Sequence, residues 1–170
     1  VKWLVDGYNV IRRDAELRGH EENSLEAGRS ALLAAVAGAA RRTGDQFTVV
    51  FDGARRDTAP GAGGQVQVVF SRPPQTADDV LRVMAVKGGA GTVVASSDRA
   101  VRDAARRAGA VAVSAEDFVA ALREAAPHDT GRDDDEDDDD RVERRGGNPR
   151  RLSRDERAAR RALERLRGRR

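Results

Sequence analysis

Short apolar runs alternate along the chain with stretches whose apolar residues recur at helical spacing. Trp3-Leu4-Val5 leads into Asp6-Gly7. Phe47 to Phe51 leads into Asp52-Gly53, and Thr92 to Ser97 leads into Asp98. Val66 to Phe70 and Val111 to Val113 are further β-rich runs. Runs of this length bounded by turn residues read as strands buried in a parallel sheet. Between them, Leu25, Leu32, Leu33 and Val36 mark a helix running to about Arg42, opened by Asn23 and Glu26 at capping-box spacing and stopped by Thr43-Gly44. Val80, Leu81, Val83 and Met84 mark a second helix after Thr76, and Pro73-Pro74 excludes helix just before it. A third follows Ser97 through about Ala108, and a fourth carries Phe118, Val119 and Leu122 and is closed by Pro127. Arg12 to Glu22 reads as a polar connection and Ala54 to Gln65 as a loop. The predicted order, β-α-β-β-α-β-α-β-α, is that of an α/β fold with a mostly parallel central sheet and helices on both faces.

Charge divides the chain further. Residues 1–126 predict one globular domain, long enough to bury a core. Residues 127–150 are charged and almost free of apolar side chains, which predicts a disordered acidic linker. Within it, residues 133–140 are all acidic and carry −8. Residues 141–170 hold 13 arginines against four acids, or +9, inside a net charge of only +2. Residues 151–170 predict a basic helical tail: Ser153 and Glu156 have capping-box spacing, and Ala159, Ala162, Leu163 and Leu166 follow at helical intervals. A helix so short is expected to fray unless bound. The acidic run and the basic tail either pair with each other or stay two solvated blocks that serve solubility.

The three strands that end in aspartate would bring Asp6, Asp52 and Asp98 to one rim, where open α/β sheets bind their ligands. Asp78 and Asp79, in Thr76-Ala77-Asp78-Asp79, join them at a helix start. Each aspartate also has a local reading, as a turn former or helix cap. Their joint occurrence raises the chemical one. Clustered carboxylates repel one another, and a bound cation relieves that repulsion. An all-oxygen donor set suits Mg²⁺ or Mn²⁺, either of which can activate water toward a phosphodiester. Other routes lack their parts. There is no cysteine, and both histidines, His20 and His128, lie outside these motifs. There is no G-x-x-x-x-G-K-[ST] phosphate loop. Arg55, Arg56 and Arg72 fall in loops near the strand ends, where they either contact phosphates or stay solvated. Tyr8 either stacks on a base or packs under the turn.

These residues resemble the YacP-like branch of the NYN domains, relatives of the PIN-domain nucleases. The likeness runs through Leu4-Val5-Asp6-Gly7-Tyr8-Asn9-Val10-Ile11, Asn23 to Arg29, Val50-Phe51-Asp52, Thr76-Ala77-Asp78-Asp79 and Ser97-Asp98, and covers roughly residues 2–124. The charged C-terminal part lies outside it. The resemblance implies a three-layer PIN-like fold and a metal-dependent endoribonuclease; bacterial relatives are implicated in cleaving mRNA on the ribosome. It implies that Asp6, Asp52, Asp78 and Asp98 bind Mg²⁺ or Mn²⁺ or act beside it, and that Asn9 orients a carboxylate or a water. Asp79 is counted among the catalytic residues but not the metal ligands; relatives usually carry glutamate there, and helix capping is an equal alternative for it. The expected protein is thus a cytoplasmic hydrolase acting on RNA, with no membrane span and an oligomeric state the sequence leaves open. The rival expectation is an RNA- or ribosome-binding module without catalysis. A phosphotransfer domain of the receiver type shares the sheet and the acidic rim but lacks an obvious lysine on a late strand.

Overall fold

The computed structural model describes residues 1–53, 64–125 and 152–168. Five strands form one parallel sheet: β1 (Lys2–Asp6), β2 (Gln46–Phe51), β3 (Val66–Phe70), β4 (Thr92–Ala95) and β5 (Val111–Val113). Their spatial order is β3-β2-β1-β4-β5, so the chain builds outward from β1 in one direction and later in the other. Trp3 lies opposite Phe47 on β2 and Val93 on β4. β3 occupies one edge.

Because strand side chains alternate between faces, β1 feeds two separate cores. Trp3 and Val5 join Phe47, Val49, Val93 and Phe118 on one face. Leu4 joins Val50, Leu81, Val94 and Val101 on the other. Helices α4 (Ala77–Gly88) and α5 (Arg99–Arg107) cover the second face. The first is covered by α1 (Gly7–Arg13), α2 (Ala15–Asn23), α3 (Leu25–Thr43), α6 (Ala115–Glu124) and α7 (Arg154–Leu166). The strand and helix pattern read from the sequence is therefore present, with three differences.

First, residues 12–22 are not a connection. Asp6 caps α1 and Asp14 caps α2, the Asp14 carboxylate accepting from the Leu17 amide at 2.9 Å. α2 buries only Leu17, so it leaves almost no apolar periodicity to read. Second, the cap of α3 is Ser24, whose hydroxyl accepts from the Ala27 amide at 3.0 Å. The Asn23 side chain bonds back to the Gly19 carbonyl instead. Third, α7 is a docked element rather than a loose tail. Ala162 and Leu166 are buried in the same core as Trp3, with Leu166 at 0% exposure. Arg165 grips the buried Asp45 carboxylate through both Nε and Nη2. Asp45 also accepts from the Trp3 indole at 3.3 Å and from the Val1 amino group at 2.9 Å. Burial disfavours its charge, but these donors outweigh burial and hold its pKa below the ordinary range. Arg55, Arg56 and the acidic linker lie outside the described residues.

Candidate active site

β1 has β2 on one side and β4 on the other, so the connections leaving these strands diverge at their carboxyl ends. That is where open α/β sheets place a ligand crevice. A cleft of about 690 Å³ opens there, and Asp6, Asp52, Asp78 and Asp98 all line it.

Asp6 is the most enclosed of the four, at 6% exposure. It ends β1 and caps α1, its Oδ1 accepting from the Asn9 amide at 3.4 Å. Its Oδ2 accepts from the Ser96 hydroxyl at 2.8 Å. Burial raises its pKa to about 6; the Ser96 and Asn9 bonds oppose the rise, while Asp78 and Asp98 add to it. Gly7 is required here by contact rather than by backbone conformation. A Cβ at that position would come 2.3 Å from the Phe51 ring, and its φ is not positive.

The loop after β4 is bound to this centre by two serines. Ser96 also accepts from the Asp98 amide at 3.1 Å, so one hydroxyl bridges two of the aspartates. The Ser97 amide donates to the Asn9 side-chain oxygen at 2.8 Å, and the Ser97 hydroxyl donates to Glu116. Asn9 thus ties α1 to the β4–α5 loop. Asp98 caps α5 through the Val101 amide at 2.9 Å.

Asp52 is more open. Its Oδ1 accepts from the Ser71 hydroxyl at 2.6 Å and from the Ala77 amide at 3.3 Å, linking the end of β2 to the start of α4. Asp78 follows on the first turn of α4. Burial raises its pKa, and so do Asp98, Asp79 and Asp52, against the lowering effect of Arg82. Asp79 does not line the cleft. Its Oδ2 accepts from the Thr76 amide at 3.1 Å and from the Thr76 hydroxyl at 3.0 Å, completing a capping box. These bonds lower its pKa. Arg72 is exposed after β3 and is also absent from the cleft lining. Tyr8 lines the cleft and is packed as well, its ring edge-on to Phe51 at 5.1 Å.

Four contributors escape the sequence reading. Ser71 and Ser96 are buried hydroxyls without a motif of their own. Arg12 and Arg13 line the cleft because residues 7–13 are helical, which turns the end of α1 back over the rim.

The donor set suits a hard divalent cation: four carboxylates, two of them with raised pKa, and neither histidine nor cysteine among them. No three such groups among the described residues converge closely enough to enclose an ion by themselves. Mg²⁺ does not require that. It commonly keeps several waters and takes one or two carboxylates together with a substrate phosphate.

Comparison with known proteins agrees with this architecture. The family model of the YacP-like NYN domain matches residues 3–167, which includes α7 as well as the shorter stretch resembled in sequence. "Uncharacterized protein YacP" of Bacillus subtilis is 32% identical over 84 residues, or 48% of this chain and 49% of that protein. The chain therefore spans about half the length of this curated relative. The crystal structure of Rae1 (YacP) from Bacillus subtilis superposes with a TM-score of 0.60 at 29% identity, over 72% of this chain and 74% of that one. The structure of a tryptophan-to-leucine mutant of that same protein gives 0.61 at 28% identity over the same shares. Among the described residues no helix is long and apolar enough to cross a membrane. By the extent of the family match, with the sheet and its helices in agreement, the chain belongs to the YacP-like NYN domain family.

Proposed function

We propose that this protein is a Mg²⁺- or Mn²⁺-dependent endoribonuclease that hydrolyses RNA phosphodiester bonds. Membership of the NYN family points to nuclease-type chemistry related to RNA. The observation that carries the reading further is that four aspartates line one cleft, where burial and the neighbouring carboxylates raise the pKa of Asp6 and Asp78. A divalent ion held there supplies the positive charge that makes water nucleophilic near neutral pH and steadies the departing oxygen. One or two of Asp6, Asp52, Asp78 and Asp98 would hold it together with a substrate phosphate, and the others would act beside it. Ser96 and Ser71 fix the carboxylate rotamers, and Asn9 holds the Asp98 loop against α1. Such neighbours typically change metal affinity or activity about 10–100-fold when removed. Messenger RNA on the ribosome, in the cytoplasm, is the proposed setting.

The deciding experiment is incubation of structured and unstructured RNA with Mn²⁺, Mg²⁺ or EDTA, in parallel with Asp78→Asn. Cleavage that needs metal and disappears in the variant is the expected result. RNA binding without cleavage under every condition would instead establish the rival reading, a binding module without catalysis.

A further inference from the structure

The acidic cleft has a second population of side chains, and their chemistry is opposite. Arg12, Arg13 and Leu25 line the same 690 Å³ space as the aspartates. Carboxylates and an ion account for none of them.

Arg12 lies over the face of Tyr8, its Cζ 5.5 Å from the ring centroid. Tyr8 is itself held at both ends, by Phe51 at the ring edge and by an Arg29 guanidinium that donates to its hydroxyl at 3.4 Å. The Arg12 guanidinium therefore rests on a fixed support while its side chain stays 65% exposed. Its ion pair with Glu21 is long, at 3.8 Å, and constrains it weakly. Leu25, at the first position of α3, is 53% exposed on the wall of a cleft lined mostly by polar and charged groups. Arg13 is paired with Glu116 at 3.3 Å, both side chains about half exposed, so a phosphate can compete for it.

A flat cation on an aromatic support, an exposed apolar side chain and a second cation match the three parts of a nucleotide. Unpaired bases stack on guanidinium planes, whereas paired bases within a duplex keep their faces covered. The cleft volume falls in the range of about 300–1,000 Å³ usual for small-ligand sites. Resting on the endoribonuclease reading, we infer that the end of α1 and the start of α3 form a subsite for one unpaired nucleotide of single-stranded RNA. Arg12 stacks on its base, Leu25 covers the base edge and Arg13 contacts its phosphate.

The test is fluorescence anisotropy on the full chain carrying Asp78→Asn, with Mg²⁺ present, so that binding is read without cleavage. The probes are a short labelled single strand, the same strand with one abasic residue, and its duplex. The single strand should bind more tightly than the abasic strand and the duplex. Arg12→Lys keeps the charge but removes the plane. It should weaken single-strand binding about 5-fold or more, leave the salt slope unchanged and reduce the penalty for the abasic residue. Arg13→Gln should flatten the salt slope by about 0.7, the loss of one single-strand phosphate contact. Both side chains are exposed, and circular dichroism checks that the fold survives. Equal binding of duplex and single strand, an Arg12→Lys variant that binds like its parent, an unchanged slope in Arg13→Gln, or no binding of any probe would each overturn the subsite. Cleavage by the chain with Asp78 intact is scored separately. Absence of cleavage with this binding pattern present would sink the nuclease reading alone, and cleavage with flat binding would sink the subsite alone.

Discussion

Asp6 is pulled in two directions: its side chain accepts two hydrogen bonds, yet it is enclosed and faces two other carboxylates. The consequence is a dependence of stability on pH. With a folded-state pKa of about 6 against an ordinary 3.8, the native state binds the proton more tightly than the unfolded chain does. Stability from this group is then complete below 3.8 and falls as pH rises through about 6. Without metal, the cost at pH 8 is about 3 kcal/mol. Asp6→Asn, which cannot ionise, should therefore be more stable than its parent in EDTA at pH 8, with the gap closing below about pH 4. Thermal melts across pH check this, and a variant that melts lower at pH 8 would make Asp6 a structural acceptor instead. At this scale the carboxylates are legible in the sequence because Asp6, Asp52 and Asp98 each end an apolar run and Asp78 opens a helix. The serines that hold them are not. Ser96 and Ser71 acquire meaning only when β4 and β3 are laid beside β1 and β2, a relation across 90 and 19 residues.

Among the elements, α7 separates composition from structure most sharply. Its arginines make the segment look like a solvated appendage, and yet Ala159, Ala162, Leu163 and Leu166 keep the spacing of a helix with one buried face. The apolar stripe indicates the helix, but not the surface that receives it. That surface includes Asp45, whose bonds to Val1, Trp3 and Arg165 join β1, the α3–β2 turn and α7. Arg165→Gln would leave this carboxylate enclosed with fewer donors. The expected loss is about 1–3 kcal/mol, or roughly 2–4 °C of melting temperature per kcal/mol. Since Asp45 titrates below the ordinary carboxylate range, its contribution is present at neutral pH and fades as acid protonates it. The deficit of the variant should accordingly shrink toward low pH. α1 and α2 show the opposite case. Capped by aspartates and burying few side chains, they are helices that hydrophobic periodicity alone could not announce.

For the molecule as a whole, the sheet order places β1 at the centre, so both halves of the chain converge on its carboxyl end. The alternation of strands and helices makes the parallel sheet readable, but not the order of its strands. The docking of α7 changes what can be asked of the charged C-terminal part, because removing residues 141–170 would also uncover the core around Trp3. The informative deletion is of residues 133–140 alone, which takes away eight negative charges and no described contact. If that run competes with RNA for the arginines, the deletion should tighten binding to any polyanion at low salt and lose this effect as salt screens it. An identical salt titration before and after deletion would confine the run to solubility.

Trp3 is the chain's single tryptophan, and it has 0% exposure between Phe47 and Phe118, with its indole nitrogen on Asp45. This makes the protein its own optical probe. Emission from one site reports two events: closure of the core over β1, and the arrival of Arg165 at the carboxylate that the indole touches. The aspartate cleft lies at the other end of β1, so a metal titration that leaves the emission still while raising the melting temperature would localise the ion to that far end. Unmasking of the indole with a small loss of helix content, no more than the share of α7, would instead register α7 lifting away and fraying.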